Sequence, residues 1–154
     1  VNEERILKLK RSAERFTAFR ERSPKEVADK LAEWDAKPEE IERIIAELKE
    51  QRFIDEHRFA RAFCHDKFLV NRWGKRRIAM EISRHQLSRE ALTEGMNYIN
   101  AEEYERTLQH LAEQKWLKVK DSDTLKRKQK TVAFLLQKGF ESDLIWEVVN
   151  ELTD

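Results

Sequence analysis

The chain has 154 residues, of which 40% are charged and 40% hydrophobic, and its 31 lysines and arginines nearly balance 30 acids to leave a net charge of +1. Bulk charge therefore selects no partner, and three glycines with two prolines are too few for the strand ends of a β-sandwich or an α/β sheet. What remains is an all-α chain with a very wet surface. No apolar run approaches the roughly 18 residues of a membrane span, and the opening VNEERILKLK lacks the apolar stretch of a signal peptide. The single cysteine, Cys64, excludes an intramolecular disulfide and fits a reducing cytoplasm.

Helix starts are legible in chain order. Ser23-Pro24-Lys25-Glu26 reads as a capping box, with serine at the N-cap, proline at the first helical position and glutamate at the third. Apolar residues then recur at helical spacing, at Val27, Leu31 and Trp34, and at Ile41, Ile44, Ile45 and Leu48. Asp55 caps the next start, with Ile54 and Phe59 placed as a hydrophobic staple. Asn100 with Glu103 reads as a further box. Asp121-Ser122-Asp123 and Ser142 are candidate caps for the last two helices.

The pattern repeats. A shift of 51 residues lays Val27 on Ile78, Leu31 on Ile82, Ile41 on Leu92, Ile45 on Met96 and Leu48 on Ile99. A shift of 54 lays Ile78 on Val132 and Ile82 on Leu136, and one deletion later a shift of 53 lays Leu87 on Phe140, Leu92 on Ile145, Met96 on Val149 and Ile99 on Leu152. The spacing predicts tandem three-helix repeats near residues 1–52, 53–101 and 102–154, each with a first, a middle and a closing helix. Units this small bury little alone, so the expectation is stacking into an elongated, curved array. A single compact bundle is the alternative.

Near-neutral net charge hides alternating blocks. Residues 72–89 hold six cations against Glu81 alone, net +5, and residues 90–105 hold five acids and no cation. Residues 115–130 are again +5 and residues 141–154 are −5. Lys75, Arg76 and Arg77 fall in the first turn of a helix, where the macrodipole disfavours cations. Gly74 before them would allow a sharp turn and the approach of a ligand to backbone N–H groups. With Ile78 and Ile82 turned inward, Arg76, Arg77, Met80, Ser83 and Arg84 share the opposite side, as do Arg127, Lys130, Thr131, Phe134, Gln137 and Lys138 one repeat on. An apolar residue among cations suits a protein interface. Repeat 1 places Asp29 there, so a shared basic groove would come mainly from repeats 2 and 3. The competing reading is a solvated face with Arg77 and Glu81 paired at i, i+4.

No catalytic signature is present: no phosphate-cradling glycine loop, no metal-ligand spacing of His and Cys, no G-x-S-x-G. The expectation is a binding protein and not an enzyme, with no cofactor and no metal.

Phe53-Ile54-Asp55-Glu56 with Arg58-Phe59-Ala60, then Gly74-Lys75-Arg76-Arg77-Ile78, and Gly139-Phe140 before the last helix resemble the RecX family of RecA regulators. The stretch Arg20 to Glu26 running into Leu31 resembles the family's first-repeat signature. Where the family tends to have glycine after the second middle helix, this chain reads Arg84-His85-Gln86-Leu87. The resemblance implies a cytoplasmic, monomeric protein of DNA repair and recombination, linked to the SOS response. It would lodge in the groove of the RecA filament on single-stranded DNA and inhibit ATP hydrolysis and strand exchange, with no membrane partner. The resemblance carries over Gly74 to Arg77 as contact residues. Helical geometry adds Arg72, Met80, Arg84, Lys126, Arg127, Lys130, Phe134 and Lys138 as candidates toward RecA or toward single- or double-stranded DNA directly. A direct nucleic-acid-binding helical module and a passive scaffold are the rival readings.

Overall fold

The computed structural model describes residues 2–154. These form nine α-helices and no strand: α1 (Glu3–Phe16), α2 (Pro24–Glu33), α3 (Pro38–Glu50), α4 (Glu56–Leu69), α5 (Lys75–Ile82), α6 (Arg89–Asn97), α7 (Ala101–Lys118), α8 (Thr124–Lys138) and α9 (Ser142–Asn150), with a 3-10 turn at Ser83–His85. The order is three tandem groups of three helices. No helix among the described residues is long and apolar enough to cross a membrane.

Local chemistry sets the helix starts. The Ser23 hydroxyl accepts from Glu26 N–H while the Glu26 carboxylate accepts from Ser23 N–H, a complete capping box. Asp55 accepts from the N–H groups of His57 and Arg58, Asn100 from Glu103, and Asp123 from Leu125 and Lys126. The last cap differs from expectation. Glu141 occupies the N-cap of α9 without capping it by its side chain, and Ser142 is the first helical residue. The Glu141 carboxylate is instead engaged by the Tyr104 hydroxyl.

The chain divides into two compact units, one of Val1–Ala62 with Ile82–Glu94 and one of Phe63–Glu81 with Gly95–Asp154. In the first, α1, α2 and α3 pack on one another around Ile6, Ala13, Val27, Leu31, Ile44, Leu48 and Ile54. In the second, α7, α8 and α9 do the same, and Leu108, Leu135, Phe140, Ile145 and Val149 are buried. Val27, Ile78 and Val132 are all buried, as the repeat spacing requires. Leu136 is not: it is 44% exposed, while Leu135 is fully buried. In α8 the second inward position is therefore three residues after Val132 and not four, so the deletion in the third repeat precedes this position.

Each unit contains the same joint. The start of a middle helix meets the turn that ends the next middle helix. In the first unit Ser23 Oγ lies 2.8 Å from His85 Nδ1, and the His85 ring is tilted on Phe59 at 4.7 Å between centroids. In the second, Gly74 N–H donates to Lys138 O at 2.8 Å. Ser23 and Gly74 are 51 residues apart, and His85 and Lys138 53 apart, the offsets of the sequence repeat. The residue after each is left-handed, Gln86 at φ 54° and Gly139 at φ 101°, and the matching residue of the first repeat, Asp35, has φ 65°. The turn where the chain lacks glycine thus keeps the glycine geometry.

A left-handed side chain costs roughly 1–2 kcal/mol, offset in part by the extra chain entropy glycine loses on folding. Gln86→Gly is expected to raise unfolding stability by about 0.5–1 kcal/mol, read by chemical denaturation. His85 is held below the ordinary histidine value by burial, so the folded state favours the neutral ring. Stability from this joint is therefore complete above pH 6.5, the unfolded value, and falls as the pH drops through the folded value. Thermal melts across that range are expected to fall more steeply for the parent chain than for His85→Gln.

Candidate functional site

Gly74 is buried in the second unit, against the turn between α8 and α9. A Cβ there would meet the Gly139 carbonyl carbon at 2.3 Å, and one at Gly139 would meet Arg77 Cβ at 2.3 Å. The two glycines let main chain approach main chain. Three successive N–H groups at the start of α5 are taken up within the protein: Gly74 by Lys138 O, Lys75 by the Tyr104 hydroxyl at 2.9 Å, and Arg76 by Gly139 O at 2.9 Å. This corrects the reading of Gly74 as an opening for a ligand. Its N–H is engaged and it presents no surface, so it positions the cations that follow it. The left-handed residue of the α4–α5 turn is Arg72, at φ 54°.

Tyr104 holds the other side. Its ring lies 5.7 Å from Phe68 and 5.2 Å from Phe140, and its hydroxyl donates to Glu141 while accepting from Lys75 N–H. Burial, then the Glu141 carboxylate, push the phenol well above its usual range, so it stays a donor.

The joint gathers positive charge at the surface. The Arg77 guanidinium lies 4.2 Å from the Trp73 ring centroid and Lys67 Nζ 5.2 Å from it. Arg77 also donates to Gln137 O at 3.4 Å, and Lys138 Nζ to Asn71 O at 2.7 Å. Burial, then the neighbouring Arg77 and Arg72, hold the Lys138 amine below its usual value. No carboxylate of the described residues lies within 4.0 Å of Lys67, Arg72, Lys75, Arg76, Arg77 or Lys138. The i, i+4 pairing of Arg77 with Glu81 is therefore not formed. Like charges packed without a counter-ion repel, and a cluster of this kind is suited to an anionic partner.

The other candidates fall elsewhere. Arg72, Arg77 and Lys138 come together; Lys75 Nζ lies over the Tyr104 ring at 4.9 Å, Arg76 is exposed, and Met80 on α5 is 67% exposed. Lys126, Arg127 and Lys130 sit toward the other end of α8, about 12–18 Å along the helix from Lys138. Lys126 is exposed. Lys130 pairs with Asp121 at 3.0 Å. Arg127 lies on the Trp116 ring, donates to Trp116 O and pairs with Asp154 at 2.7 Å, leaving its side chain only 14% exposed. It is a fastening of α8 before it is a contact. Phe134 is half-buried under Lys115. Thr131 is fully buried, its hydroxyl donating to Arg127 O, and so leaves the polar face assigned to it. Arg84 lies exposed in the first unit. Lys67 and Trp73 were not among the expected residues; Trp73 adjoins Gly74 in sequence, but nothing local links Lys67 to it. Cys64 is buried, 3.8 Å from the Met96 sulfur, and burial pushes its thiol up to about 11.

Residues 10–48, 55–96 and 102–149 match the models of the first, second and third three-helix domains of RecX. A protein of Clostridium perfringens (strain 13 / Type A) named Regulatory protein RecX is 33% identical over 156 aligned positions, spanning all of this chain and 73% of its own length. The chain belongs to the RecX family. A Regulatory protein RecX of Herbaspirillum seropedicae is 30% identical over 92% of the chain and 88% of that protein. The crystal structure of RecX from Lactobacillus salivarius superposes with a TM-score of 0.89 over 98% of both chains at 22% identity; it shares the fold. The RecX family is one of regulatory proteins, and the chain carries all three of its helical domains.

Tyr104→Phe removes the acceptor of Lys75 N–H and the donor to Glu141. It is expected to destabilise the chain by about 1–3 kcal/mol, and Gly74→Ala by at least as much, because main chain must move. Denaturant midpoints at constant slope would check both.

Proposed function

We propose that the chain regulates the RecA recombinase, inhibiting its ATPase and strand exchange by lodging non-covalently in the groove of the RecA filament on single-stranded DNA. Family membership supports a regulatory role, and the observation that carries the reading further is the set of cations around the α5 start, which has no carboxylate partner among the described residues. Arg72, Lys75, Arg76, Arg77 and Lys138 would meet anionic groups of the filament. Met80 and Phe134 would supply apolar contact. Lys126 and the more firmly engaged Lys130 and Arg127 would extend the basic surface of the second unit, and Arg84 would add a cation in the first. The three repeats, taken as residues 1–52, 53–101 and 102–154, would bridge more than one RecA protomer and so resist the changes that ATP hydrolysis and strand exchange require. The chain would act as a monomer in the cytoplasm, holding the filament without covalent chemistry.

The test is single-stranded-DNA-dependent ATP hydrolysis by the cognate RecA, titrated with the chain, beside its binding to the same DNA without RecA. Inhibition well below the concentration that coats bare DNA is the expected result. Arg72→Glu with Arg76→Glu, both at exposed positions, should weaken inhibition about tenfold or more with helical content unchanged. Inhibition that follows DNA coating alone would point to a direct nucleic-acid-binding module instead.

A further inference from the structure

The first unit carries an aromatic surface that the basic cluster does not explain. Phe19 is 90% exposed, yet the loop that bears it is pinned on both sides. Thr17 Oγ1 donates to Glu14 O at 2.7 Å, Arg22 donates to Phe16 O at 3.1 Å, and Arg20 pairs with Glu26 at 2.7 Å. An ordered loop thus holds a large apolar ring in water. No other ring and no cation lies on its faces among the described residues. The neighbouring rings are Phe16, covered on one face by Arg22 at 3.9 Å, and Trp34, edge-on to Phe16 at 6.4 Å.

Two shallow grooves, of about 550 and 430 Å³, share Ser12 and Trp34 and run along α1 to Phe19. Their walls carry Arg5, Lys8, Arg15 and Arg22 against Glu4 alone. Arg5 is engaged by Glu40 and Arg22 by Glu26. Among the described residues, Lys8, Arg11 and Arg15 have no carboxylate within 4.0 Å; one Arg15 donor reaches Ser12 Oγ at 3.0 Å. Lys8, Arg11 and Arg15 are spaced three and four apart, so they form one stripe along the helix, and Phe19 follows four residues on.

We propose that this surface is a binding site for single-stranded nucleic acid, with phosphates along Lys8, Arg11 and Arg15 and a base stacked on Phe19. A row of unpaired cations beside an aromatic ring with open faces is the arrangement that tracks a strand without reading its sequence. An apolar partner helix would cover the rings but strip water from the cations without pairing them. The inference is independent of the proposed action on RecA.

The test is fluorescence anisotropy of labelled oligo(dT) titrated with the full chain over a salt series. Phe19→Ala removes an exposed ring, so helical content is expected to persist while affinity falls about 5- to 150-fold with the salt slope unchanged. Lys8→Gln with Arg15→Gln should lower that slope by about 1.4. Wild-type affinity in Phe19→Ala, or loss of oligo(dT) binding only in Arg72→Glu with Arg76→Glu, would overturn the site. So would loss in Phe19→Ala of binding to labelled poly-glutamate with oligo(dT) binding intact, which would assign the groove to an acidic protein segment.

Discussion

The docking of one middle helix onto the turn that ends the next is the constraint from which the rest follows. It occurs once in each compact unit, at Ser23 with His85 and at Gly74 with Lys138. In both cases the turn closes through a left-handed residue, which bends the chain back so that a helix start can reach a carbonyl or a ring. A three-helix group has too little apolar surface to be independent. The joint lends α2 and α5 partners from the following group, and it satisfies the first N–H groups of α5, which no helix can satisfy for itself.

The chemistry of the two joints differs. In the first unit it depends on side chains, a hydroxyl, an imidazole and an aromatic ring, and is therefore sensitive to protonation. In the second it is almost wholly main chain, closed by two glycines and sealed by the Tyr104 hydroxyl. That difference bears on where the cations can stand. Arg72 and Arg76 flank the main-chain joint at exposed positions without holding it, while Arg77 reaches across it to Gln137 O and lies on the Trp73 ring. Arg127 shows the opposite case, since Trp116 and Asp154 have made it part of the packing.

Much of the fold is legible from local spacing because caps and apolar periodicity are local facts. As caps, Ser23, Asp55, Asn100 and Asp123 each act within three residues of themselves. The failures are of the other kind. Ser142 looked like a cap because serine favours that position, but Glu141 occupies it, with its carboxylate committed to Tyr104, 37 residues away. Leu136 looked buried because a deletion can be placed one residue early or late without changing the count of apolar matches. Gly74 was conspicuous for a sound reason, the need for close approach, but the approaching group was Gly139 and not a ligand. Arg77 and Lys138 were legible only as occupying corresponding sides of two different helices, with Arg72 in the turn before one of them, and they became a cluster only through the fold. The exposed Phe19 had no signal at all, because an apolar residue near a helix end is most simply read as core.

The two apposed glycines also shape how such a protein can diverge. An attachment made from main chain is indifferent to the identity of the side chains around it, so long as the two positions stay bare. The turn after α4 and the rim of α5 can then gain, lose or exchange charges while the framework that presents them is inherited intact. The charge on that rim becomes adjustable one surface residue at a time, while the two glycines and the Tyr104 hydroxyl that seals them are the parts that cannot drift.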